Sequence, residues 1–214
     1  MTLDLLTPDV ADYVKSLLPQ RDPVLSRLED EAAREGIPIV GPHEGALLSL
    51  LVRLHGGQRL LELGTATGYS GIWMLRGTDA GELVTFETNH ERAERARRNL
   101  EAAGYGRGAQ VIEADAVAGL AELPGAFDVC FIDLLNSFPS EDVTETAFRL
   151  SLDHLEPGGL LMADNALRDG EVARPRSQQA RNVVHYNRLV AGDPRLESVI
   201  VPIRDGLSVA VLRG

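Results

Sequence analysis

The sequence predicts an α/β fold: a mostly parallel sheet with helices on both faces, ending in an antiparallel strand. Three observations carry this. From residue 58 onward, short apolar runs alternate with helical stretches, the pattern of a parallel sheet whose crossovers are helices. A glycine-rich turn, Gly64-Thr65-Ala66-Thr67-Gly68, follows the first of those runs. The last two β-rich runs, 198–203 and 207–212, are joined by Arg204-Asp205-Gly206, and a short Asp-Gly link is a hairpin signal.

The elements follow in order. Thr7-Pro8-Asp9 is a helix start, with proline tolerated in the first turn, and Val10, Val14, Leu17 and Leu18 continue at helical spacing. Asp22-Pro23 opens a second helix, with Val24, Leu25 and Leu28 on one side and Gly36 as its stop. Gly41-Pro42 opens a third, running through Leu47, Leu48, Leu50, Leu51 and Leu54 to Gly56. Strands are expected at 59–63, 83–86, 110–113, 129–132 and 160–163. Between the second and third, Asn89 serves as N-cap of a helix that Gly104 stops. Glu156-Pro157-Gly158-Gly159 reads as a turn before the fifth strand. At 214 residues the chain suits one domain, with a helical extension over 1–56 and a cofactor-binding core over 57–214.

Composition narrows the function. There are 32 acidic and 21 basic side chains, a net charge of −11, and Lys15 is the only lysine. Such a chain has no general pull on phosphate backbones or anionic membranes, which disfavours nucleic acid. No apolar run approaches the ~18 residues of a membrane span. The first ten residues carry acids and no basic leader, so a cytoplasmic protein is expected. Cys130 stands alone inside an apolar run; it cannot form an intrachain disulfide and reads as a small buried hydrophobe.

The chemistry sits at strand ends. Glycines at a strand-to-helix turn let the backbone approach a ligand and bring helix N–H groups beside it. The spacing here is G-x-x-x-G, not the G-x-G-x-x-G that seats a pyrophosphate. The second strand ends in Glu87, where a carboxylate can accept hydrogen bonds from ribose hydroxyls. Together they point to a nucleoside-bearing ligand without a pyrophosphate requirement, and S-adenosylmethionine fits. Asp133 closes the fourth strand and Asp164-Asn165 the fifth. Carboxyl ends of neighbouring parallel strands share one edge, where ligands bind. An all-oxygen set suits a hard cation, Mg²⁺ or alternatively Mn²⁺ or Ca²⁺. The same residues also suit plain turn capping, and spacing does not separate the two readings.

These residues resemble a family, the cation-dependent O-methyltransferases that include the catechol and caffeoyl-CoA enzymes. The likeness runs from Ile37-Pro38-Ile39-Val40-Gly41-Pro42 through Glu62-Leu63-Gly64-Thr65-Ala66-Thr67-Gly68-Tyr69-Ser70, Glu87, Ala114-Asp115-Ala116 and Phe131-Ile132-Asp133. It continues through Pro157-Gly158-Gly159 and Asp164-Asn165 to Asp205-Gly206. The resemblance implies a Rossmann-like class I methyltransferase sheet of seven strands with an antiparallel last strand. It implies that Glu62, Gly64 and Ser70 line the methionine part of S-adenosylmethionine and that Glu87 holds the ribose. Asp115 and Ala116 would flank the adenine, while Ile39 and Val40 close over the cofactor. It implies a divalent cation on Asp133, Asp164 and Asn165, with Asp133 also beside the cofactor. The acceptor it implies is a small molecule with vicinal hydroxyls, and the assembly a homodimer.

Two departures stand out. The family usually carries a lysine three positions after the first aspartate, as the base for the acceptor hydroxyl; here that position is Asn136. An asparagine can orient a hydroxyl but not take its proton. His185 and His154 are substitute candidates, though a lone histidine is more often structural, and Lys15 is the only lysine available. The family's aromatic after Asp164-Asn165 is replaced by Arg168, which could face an anionic acceptor or simply solvent. Asp133 and Asn136 are therefore the candidate catalytic residues. The alternatives are methylation of a hydroxylated tRNA base, for which Arg92, Arg95, Arg97 and Arg98 form a basic cluster, and a cofactor-binding homologue with weak or no turnover. An NAD-dependent oxidoreductase is disfavoured by the turn spacing and by the hairpin.

Overall fold

The computed structural model describes residues 7–214; part of the acidic leader read above, residues 1–6, lies outside the described residues. Seven strands form one sheet: β1 Arg59–Leu63, β2 Glu82–Glu87, β3 Ala109–Glu113, β4 Phe127–Ile132, β5 Leu155–Ala163, β6 Leu196–Val201 and β7 Leu207–Leu212. Their spatial order is β3-β2-β1-β4-β5-β7-β6. The first five run parallel, and β7 lies antiparallel between β5 and β6. The order reverses between β1 and β4, which opens a crevice at the carboxyl edge there.

The helices are α1 Pro8–Ser16, α2 Pro23–Glu35, α3 Gly41–His55, α4 Tyr69–Arg76, α5 His90–Ala102, α6 Ala116–Glu122, α7 Glu141–Asp153 and α8 Gln178–Gly192. The expected caps form: Thr7 accepts from the Val10 amide, Asp22 from Leu25 and Asn89 from Arg92. Gly36 and Gly56 end their helices in the left-handed region.

Both sheet faces are covered. Leu60, Val129, Phe131 and Met162 pack with Leu28, Leu48, Ile72 and Trp73 on one side. Leu61, Leu63, Cys130 and Ile132 pack with Leu120, Phe148, Val183 and Tyr186 on the other. Burial on both faces explains why these strands read as continuous apolar runs. Cys130 is fully buried, and burial pushes its thiol up to about 12, so it is an inert core residue.

Three details depart from the sequence reading. Residues 156–159 do not precede β5; they bulge out within it, where the register jumps from Phe127–Leu155 to Val129–Leu160. The helix α1 stops at Ser16, and Val10, Val14 and Leu17 stay exposed. Leu50 and Leu54 of α3 also face outward.

Candidate active site

The ends of β1, β2, β4 and β5 are tied together by backbone hydrogen bonds. The Gly64 and Thr65 amides donate to Phe86 O, Asp133 N to Leu63 O (2.8 Å), and Asp164 N to Ile132 O (3.1 Å). Two adjoining cavities open at this edge. One, of about 800 Å³, is lined by Ile39, Gly64, Glu87, Asp133, Asn136, Asp164 and Asn165, among others. The second, of about 680 Å³, is lined by Phe86, Asp115, Ala116, Phe138 and Pro139, and shares Gly64, Glu87, Leu134 and Ser137 with the first. A cleft with one polar lobe and one apolar lobe can hold an elongated ligand with unlike ends.

Gly64 makes this edge possible. Its φ is +100°, and a Cβ there would sit 2.8 Å from Asp133 O, so a side chain would be both strained and obstructed. Glu87 has two backbone tasks: its oxygens accept from Ala66 N at 3.0 Å and Asn89 N at 2.9 Å. It thereby fixes the glycine-rich turn against the start of α5. Asp115 caps α6 through Ala118 N (2.9 Å) and lines the apolar lobe beside Ala116.

Glu62 and Ser70 are placed differently from the rest. Glu62 is fully buried beneath the turn, where Ser70 and Thr85 donate hydroxyls to its two oxygens at 2.6 Å each. Burial pushes Glu62 up to about 7 against those two hydrogen bonds. Ser70 and Val40 line a small crevice that also touches Ile39 and Asp133.

Asp133 and Asp164 face one another's field. Loss of water raises both carboxyls above the usual range, and the negative charge of Asp164 raises Asp133 further. Asn165 adopts φ +62°, a conformation asparagine tolerates, and donates its side-chain amide to Asp205 (3.2 Å). Asp205 also accepts from Asp169 N, so the β6–β7 turn holds the Asp164-Asn165 segment in place. Among the described residues, no three His, Cys, Asp or Glu side chains gather as a metal cage; the set is two carboxylates and an amide. Among the described residues, the non-glycine residues with left-handed φ are Ala66, Asn165, Arg168, Asp169 and Arg204. Three of them line the larger cavity, and such strain concentrates at functional sites.

Several sequence candidates lie elsewhere. The ring nitrogens of His154 pair with Gly125 O and Leu120 O, a structural role. His185 pairs with Glu145 and is not on the cavity wall. Arg168 lies beside Asp169 and lines neither lobe. In the basic cluster, Arg95 is held by Glu31 and Glu35, and Arg97 by Glu94, whereas Arg92 does line the larger cavity. Asn136 does line the cavity, and its Oδ1 is buried with no partner. Lys15 lines the same wall from α1.

Two residues escaped the sequence reading. Glu44 of α3 is fully buried, and no well-formed hydrogen bond reaches either carboxylate oxygen. Burial and then the charge of Asp164 push it up to about 9. Arg204 lines the cavity with Nη1 3.6 Å from Glu44 Oε2. The signal for Glu44 was its position four residues before Leu48 and eight before Val52, on the buried stripe. Arg204 carries no such signal.

A doubly wound sheet with an antiparallel β7 and a cleft at its reversal point is a Rossmann-like arrangement of the kind methyltransferases use. A family model described as O-methyltransferase matches residues 17–213, and the chain belongs to that family. It is 32% identical over 221 residues to a catechol O-methyltransferase of Niastella koreensis, covering 95% of this chain and 96% of that one. Among solved structures, an O-methyltransferase from Bacillus cereus in complex with SAH is similar at TM-score 0.84 and 28% identity, covering 96% of this chain and 97% of that one. TomG of Streptomyces achromogenes, an O-methyltransferase of tomaymycin synthesis in complex with SAM, matches at TM-score 0.85 and 28% identity, covering 96% of each chain. No described helix is long and apolar enough to cross a membrane.

Proposed function

We propose that this chain transfers a methyl group from S-adenosylmethionine to one hydroxyl of a catechol-like small molecule, with a divalent cation held by Asp133, Asp164 and Asn165. The observation that carries this reading is the convergence of those three residues on the same cavity wall as Gly64 and Glu87. The apolar lobe around Phe86, Ala116 and Phe138 suits the adenine, with Asp115 at its edge. Glu87 is positioned for the ribose hydroxyls. Gly64 allows the methionine part to lie against the backbone, over the Glu62–Ser70 pair, with Ile39 and Val40 as cover.

The donor set fits a hard cation. Two carboxyls raised by burial, Asp133 further by the charge of Asp164, gain from a nearby positive charge, and all three donors are oxygens. When bound, such a cation would lower the pKa of a coordinated hydroxyl and fix its direction. Asn136 offers its unpartnered Oδ1 as an acceptor that orients the hydroxyl, while the proton leaves to water because an amide cannot hold it. Arg95 and Arg97 are committed to ion pairs, which halves the basic cluster, and the net charge of −11 also favours the small-molecule reading over a tRNA backbone.

The test is methyl transfer from labelled S-adenosylmethionine to catechol and caffeate, with Mg²⁺ and with chelator. Transfer should require metal and fall at least a hundredfold in Asp133→Ala and Asp164→Ala. Transfer that a chelator leaves intact would refute the metal assignment. Tight S-adenosylmethionine binding without transfer to any vicinal diol would make the chain a cofactor-binding homologue.

A further inference from the structure

The proposed metal wall already contains a positive charge. Arg204 stands in the turn between β6 and β7, and that turn is locked onto the Asp164-Asn165 segment. Ala166 N donates to Gly206 O at 2.8 Å and Leu167 N to Asp205 O at 2.7 Å. Gly206 is wedged so closely that a Cβ would meet Leu167 Cγ at 2.5 Å. Arg204 cannot relax by moving the turn, and it keeps φ +48°, a conformation that favours glycine.

The guanidinium leans over the Glu44 carboxyl while its side chain stays 42% exposed. Among the described residues, no hydrogen bond from it is found, and its ion-pair partner is the fully buried Glu44, at 3.6 Å. It packs on the start of α3, 3.7 Å from where a Gly41 Cβ would lie. The same side chain shares a cavity wall with Asp133, Asp164 and Asn165. Three acids, Glu44, Asp133 and Asp164, are thus served by one arginine, whose positive field reaches all three. A strained backbone that delivers a non-hydrogen-bonding cation to an acidic wall is explained if its charge is what the site uses.

We propose that Arg204 is a resident cation of this site, stabilising Glu44, Asp133 and Asp164 when no metal is bound and weakening the site's affinity for a divalent cation. The inference rests on the metal reading above. A positive charge on the cavity wall repels an incoming cation, more strongly the less water lies between the two. The site is therefore tuned to release metal readily and to hold its acids apart from solvent meanwhile.

The experiment measures Mn²⁺ binding by the loss of the free-ion paramagnetic resonance signal, and thermal midpoints with and without Mn²⁺. The proteins are wild type, Arg204→Gly, Arg204→Gln, Arg204→Lys and Asp164→Ala. Glycine suits the left-handed backbone, so Arg204→Gly removes the charge without new strain. Both neutral variants should bind Mn²⁺ at least tenfold tighter than wild type. Their metal-free midpoints should fall below that of metal-free wild type, and Mn²⁺ should raise them by more than it raises wild type. Arg204→Lys should stay within about threefold of wild type, and Asp164→Ala should lose binding. If the neutral variants bind no tighter than wild type while binding still depends on Asp164, the role given to Arg204 is wrong and the metal site stands. If neither wild type nor the neutral variants bind Mn²⁺, the metal site fails and this inference with it.

Discussion

Glu62→Gln separates the electrostatic cost of the buried carboxyl from its hydrogen bonds. Glu62 is completely buried and raised from 4.5 to about 7, chiefly by loss of water. A carboxyl raised in the folded state holds its proton where the unfolded chain has released it. Its stabilising contribution is therefore complete below pH 4.5 and is lost as pH rises through about 7. At 1.36 kcal/mol per unit, the full swing is about 3 kcal/mol. Most of it falls between pH 5 and pH 8. Glutamine is neutral throughout and keeps one oxygen for Ser70 or Thr85, losing one acceptor at about 1 kcal/mol. Relative to wild type, the variant should be less stable at pH 5 and more stable at pH 8. For a chain of this size each kcal/mol moves the melting midpoint by about 2–4 °C, so the difference between the two proteins should change sign across the range. Melting followed by circular dichroism at half-unit pH intervals, in chelator, measures it. A difference independent of pH would show that Glu62 is already ionised at pH 5 in the folded protein and would refute the reasoning.

Further outcomes follow from the same geometry. Gly64→Ala must place a methyl 2.8 Å from Asp133 O at φ +100°; it should lose about 1–2 kcal/mol of stability from backbone strain and at least tenfold in S-adenosylmethionine affinity by calorimetry. Glu87→Ala frees the Ala66 and Asn89 amides, so it should destabilise the fold by about 1–3 kcal/mol as well as weaken S-adenosylmethionine, whereas a pure ligand contact would leave the melting midpoint unchanged. Asp205→Ala releases Asn165 and Asp169 N, and loss of such an outer partner should weaken Mn²⁺ by about 10–100-fold. Gly45→Ala would drive a Cβ to 2.3 Å from the Trp73 ring and should cost about 1–3 kcal/mol by overpacking, with tryptophan emission as the local readout.

What the sequence by itself determined was the part encoded in local pattern. Alternating apolar runs located the strands, capping residues located helix starts, and the Arg204-Asp205-Gly206 link announced the hairpin. Each is a short-range signal, set by backbone conformation within a few residues. The turn glycines and strand-end acids were legible for the same reason, since parallel strands must bring their carboxyl ends to one edge. The bulge at 156–159 was not, because a proline-glycine stretch reads as a turn whether a strand resumes on the same ladder or not.

The tertiary structure decided everything that depends on contact across the chain. Packing places Glu62 beneath the turn with Ser70 bonded to it, a pairing that no local pattern announces. Glu87 holds two amides as well as facing the cleft. His154 and His185 are held away from the cleft by their partners, and of the arginine cluster Arg95 and Arg97 pair with glutamates while Arg92 lines the larger cavity. Lys15, the lone lysine, was brought to the cavity wall from a helix remote in sequence. Above all, Glu44 and Arg204 meet beside the Asp133–Asp164 wall from positions 160 residues apart. No local pattern encodes such a meeting, because it arises only when the hairpin docks on β5 and α3 packs beneath it.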